Sequence, residues 1–71
     1  MWDLDIEVQK QIINDRIIKL NHDGFQLELN YKFAVSENNE DAIEQYKKAV
    51  DGVAASLAFH KEELAKLEAW K

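Results

Sequence analysis

Two apolar repeats with spacings of three and four residues run through almost the whole chain, and they decide what it can fold into. The first is Ile6, Ile13, Ile17, Leu20, Gly24, Leu27, Tyr31 and Ala34; the second is Ile43, Tyr46, Val50, Val53, Leu57, His60, Leu64 and Leu67. Such spacing keeps side chains on one helix face and buries one seam against a partner helix. A polar stretch, Ser36-Glu37-Asn38-Asn39-Glu40, separates the repeats. The pattern predicts an all-α, coiled-coil-like antiparallel helical hairpin as a single domain over 1–71. Helix 1 spans about 3–35, the turn 36–40 and helix 2 about 41–70. Folding about position 38 sets residue i opposite residue 76 − i. The chain's two glycines, Gly24 and Gly52, then meet across the seam, as in a close helix crossing.

The second half carries the stronger helix signal. Asn38 or Asn39 suits the N-cap, and Glu40 and Asp41 fall in the first turn, against the positive end of the helix dipole. From Ala42 onward most residues are good helix formers. Glu44 precedes Lys48 by four, as Glu62 precedes Lys66, the favourable order for a helical ion pair.

The first half supports two readings. As helix it keeps its heptads without a proline. As strand, Trp2, Leu4, Ile6 and Val8 alternate with acids, and Phe25, Leu27, Leu29, Tyr31, Phe33 and Val35 alternate closely with period two. Asn14-Asp15 and His22-Asp23-Gly24 would then be turns. The alternative fold is therefore a three-stranded β-meander followed by one long helix. The helical reading has a consequence of its own. Ile18, Phe25, Leu29 and Phe33, extended by Val8 and Ile12, form a second apolar stripe away from the seam. A helix apolar on two faces must be covered on both, so the hairpin is expected to self-associate into a helical bundle, a homo-oligomer of two or more copies.

Size points the same way. Seventy-one residues bury only about 60% of their unfolded surface and are marginal alone. The usual supports are disulfides, a metal or self-association. There is no cysteine and there are two histidines, which leaves self-association. The net charge of −5 is spread along the chain, without the basic patch of a direct nucleic-acid binder. No stretch approaches the length of a membrane span, and the first residues lack the basic end and apolar core of a signal peptide. A cytoplasmic protein is expected.

Chemistry is thinly provided. His60 and Glu63 lie three apart on helix 2, a metal-compatible spacing, but the surrounding seam is aliphatic, and a packed histidine explains it. There is no nucleophile elbow, phosphate-cradling loop or zinc helix among the known short motifs. No catalytic residue, metal site or cofactor is assigned, and the chain is expected not to be an enzyme. The aromatics are more informative. Trp2, Phe25, Phe33, Phe59 and Trp70 lie off the seam; with Ile18 and Leu29 they make the candidate interaction surface. Ile13, Ile17, Leu20, Gly24, Leu27, Val50, Gly52, Val53, Leu57, His60, Leu64 and Leu67 make the hairpin or oligomer seam.

The resulting expectation is a small acidic interaction module with a protein partner. Its size and composition suit a bacterial or bacteriophage accessory protein that modulates or inhibits a larger protein. One alternative is an oligomer that sequesters a nucleotide or other metabolite at subunit interfaces, using Lys10, Arg16, Lys19, Tyr31 and Lys32. Another is a structural assembly subunit. Arg and Lys side chains meeting across a subunit interface would favour the ligand; scattered ones would favour the protein partner.

Overall fold

The computed structural model describes residues 3–69. Trp2 and Trp70, named above as anchors, lie outside them. Two helices, α1 (Ile6–Ser36) and α2 (Glu40–Ala69), run antiparallel and pack along their length. There is no strand among the described residues. The period-two run Phe25–Val35 is helical, and the two proposed hairpin turns lie inside α1. Alternation was the weaker signal because every second residue of that run also fits a helix. Leu27, Tyr31 and Ala34 keep the seam, while Phe25, Leu29 and Phe33 point elsewhere.

The helix boundaries follow from local chemistry. α1 starts later than position 3, because Asp5 is extended (φ −55°, ψ 142°) and stands as its N-cap without a side-chain cap bond. The Gln9 side-chain amide donates to the Leu4 carbonyl at 2.7 Å. At the other end the two asparagines divide the corner between them. Asn38 adopts a left-handed conformation, φ 53°, which asparagine tolerates better than most residues. Its N–H donates to the Val35 carbonyl and that of Asn39 to the Ala34 carbonyl, both at 3.1 Å. This is the Schellman arrangement that closes a helix C-terminus. Asn39 then opens α2: its Oδ1 accepts from the Ala42 N–H at 3.2 Å, and its carbonyl accepts from the Ile43 N–H at 2.9 Å. Glu40 and Asp41 occupy the first turn. The turn is thus residues 37–39, tighter than the 36–40 expected.

The seam runs between the helices as the repeats foretell. Every residue of the two repeats is half-buried except Ala34, beside the corner, which is buried at 3% exposure. Gly52 is the exception among the seam assignments: it is exposed, and a Cβ built on it meets nothing within 4 Å. A Cβ on Gly24 would instead lie 3.5 Å from Val53 Cγ1. Gly24 therefore stands level with Val53, not Gly52, and residue i is level with residue 77 − i. The shift by one has a physical cause. It sets seam residue against seam residue (Ile13 with Leu64, Leu20 with Leu57, Leu27 with Val50, Ala34 with Ile43), whereas the glycine pairing would have set Leu20 against Ser56.

Lys10 fills the one heptad gap, between Ile6 and Ile13. Its side chain is partly buried and its ammonium lies 3.8 Å from Glu7, so the aliphatic stem covers the seam and the charge stays in water.

Candidate functional site

The seam uses one face of α1, and the opposite face carries the second stripe. Ile18, Phe25, Leu29 and Phe33 are between 50% and 66% exposed, and Leu4, Val8 and Ile12 are also exposed. These residues recur at spacings of four and seven, with one gap of six between Ile12 and Ile18, so they share the side of α1 turned away from α2. Gln11, Asp15 and Lys19 interrupt the stripe, dividing it into an N-terminal patch and a larger central one. Asn21, His22, Phe25, Gln26 and Leu29 line a shallow depression on the central patch. Four of the seven residues assigned to the interaction surface are thus brought together.

Phe59 is exposed but sits on the outer side of α2, so it does not join the α1 patch. Its ring meets His60 edge-on, with centroids 5.4 Å apart and planes at 89°. Small residues surround it: Gly52, Ala55 and Ala58 are exposed on the same helix.

His60 is held within its own helix. Its Nδ1–H donates to the Ser56 carbonyl at 2.7 Å, and the residue lines a groove with Arg16, Lys19, Leu20 and Asp23. Glu63 pairs with Lys66 at 2.9 Å. Lys66 therefore takes Glu63, three residues back, in place of Glu62. That hydrogen bond and the Glu63 charge raise the Lys66 pKa above the ordinary lysine value. Among the described residues no group of three His, Asp or Glu side chains is placed to hold a metal ion.

Arg16 and Lys19 share the groove with Asp23, and several lysines pair within their own helix. Lys19 pairs with Asp23 at 3.5 Å, Lys32 with Glu28 at 3.2 Å and Lys48 with Glu44 at 3.4 Å. Each pair spans one turn of a single helix, and no ion pair among the described residues crosses the hairpin. Tyr31, Lys32 and Lys47 line a common groove, but Glu28 and Asp51 line it too. Two carboxylates there offset the two ammonium groups, which disfavours an anionic ligand.

No helix of the described residues is long and apolar enough to cross a membrane. Comparison with protein-family models, with curated proteins and with solved structures found no match to this chain.

Proposed function

We propose that the protein is a non-enzymatic interaction module: protein covers the outer face of α1, and the resulting small acidic assembly docks on and modulates a larger protein. One observation carries this reading. Ile18, Phe25, Leu29 and Phe33 are mostly exposed on the face opposite the seam. Clustered aromatic and aliphatic side chains of this kind mark protein contact surfaces, because burying them releases water at about 25 cal/mol per Å². Catalysis finds no comparable support, since the grooves are open and five of the lysines lie in single-helix ion pairs. Sequestration of a nucleotide is also less supported, because Lys10, Lys19 and Lys32 are each matched by a carboxylate of their own helix.

The test is a photo-reactive benzoylphenylalanine in place of Phe25, irradiated in the cells that make the protein. A discrete protein–protein adduct is expected. An irradiated chain that stays uncoupled would overturn the reading, because this side chain is then facing water.

A further inference from the structure

We infer that the occupant of the central α1 patch is the same patch of a second copy, laid antiparallel across a two-fold axis between positions 23 and 24. Two hairpins so joined set four helices side by side, with the α1 helices inside and the α2 helices outside. The inference rests on the reading above that protein covers this face, and names which protein.

Area is the first argument. The chain exposes 5,916 Å², whereas a compact monomer of its mass, 8.3 kDa, would expose about 4,600 Å². The excess, roughly 1,300 Å², exceeds the ~800 Å² that each partner gives to a standard stable interface. The hairpin measures 51 × 20 × 14 Å, a slab two helices wide and one helix thick. The patch runs along its α1 edge, so a second copy there widens the slab to four helices.

Charge order is the second argument, and it selects a copy over a stranger. Along the outer face of α1 the sequence reads Asp15, Ile18, His22, Phe25, Leu29, Lys32. An acid stands at one end of the apolar run and a base at the other. Such a strip is complementary to itself only when reversed. Pairing residue i with residue 47 − i of the second copy sets Asp15 against Lys32, Ile18 against Leu29 and His22 against Phe25. All six positions alternate by three and four, so all fall on the line of contact. A two-fold axis repeats each pair, as an isologous interface requires. A parallel arrangement would instead stack Asp15 on Asp15 and Lys32 on Lys32. Among the described residues Asp15 makes no ion pair within its own chain, so it is free for this one, while Lys32, 3.2 Å from Glu28, divides its charge between that carboxylate and the incoming Asp15. The outer side of α2, with Phe59, remains open for a larger partner.

The absence of cysteine makes a direct test simple. Ile18→Cys and Leu29→Cys chains are prepared separately, then oxidised alone and mixed. The mixture is expected to form a disulfide-linked pair in high yield and each variant alone very little, with wild type at twice the chain mass in native mass spectrometry. Self-linking of Ile18→Cys would reveal parallel pairing and overturn the inference. So would a monomeric wild type at ~100 µM, a concentration above the Kd of any stable dimer, or a dimer whose mixed variants fail to link. A monomer whose position-25 photoprobe labels a different protein would overturn the second copy and leave the interaction module standing. A monomer that labels nothing would remove both.

Discussion

Asn38 and Asn39 are chemically identical neighbours with different work, and backbone conformation separates them. Asn38 carries the left-handed turn and Asn39 the N-cap bond to Ala42. Asn39→Ala is expected to cost about 1 kcal/mol of stability, measured as a lower urea midpoint with an unchanged slope. Gly52 behaves oppositely. It is exposed in a helix interior with open space where a Cβ would go, so Gly52→Ala is expected to add roughly 0.5–1 kcal/mol, seen as a rise in Tm. The sequence exposed the capping role of this pair without saying which residue took which half, because both residue types suit both jobs. It also carried the true register. Leu20 with Leu57 and Leu27 with Val50 already align at 77 − i, whereas folding about position 38, which brings the two glycines together, gave 76 − i.

At the scale of the element, α1 and α2 differ in kind. α2 shows one apolar seam and an outer side of alanines and charges broken only by Phe59 among its large apolar residues, so its helical period was plain. α1 is apolar on two sides, and that duplicity produced the competing strand reading of Phe25 to Val35. The two sides separate by experiment. Phe25→Glu on the outer face is expected to leave helical circular dichroism unchanged while halving the mass of the assembly, because the ring is already largely exposed. Leu27→Ala, two residues away on the half-buried seam, is expected to destabilise the hairpin itself by about 1–3 kcal/mol. Equal loss of helicity in both variants would contradict the two-sided division. The membership of the α1 patch was legible from spacing alone. The separation of Phe59 from it was not, since that depends on which side of α2 faces away.

For the whole molecule, mutual charge order is the property to probe. Asp15→Lys and Lys32→Asp each set like charges against each other twice in the proposed dimer, and each is expected to weaken it on the order of tenfold, as solvent-exposed pairs allow. Mixing the two variants restores both pairings, so the heterodimer is expected to regain near wild-type affinity by analytical ultracentrifugation. Seam geometry has a kinetic counterpart. The connection between helices is residues 37–39, and Ala34, the one buried side chain among the described residues, stands beside it. Closing so short a loop costs little chain entropy, whereas the far ends near Ile6 and Ala69 meet only after the rest has aligned. The hairpin is therefore a zipper with its fastener at the corner. Backbone amides should exchange with deuterated water slowest next to Ala34 and Ile43 and progressively faster toward the open end.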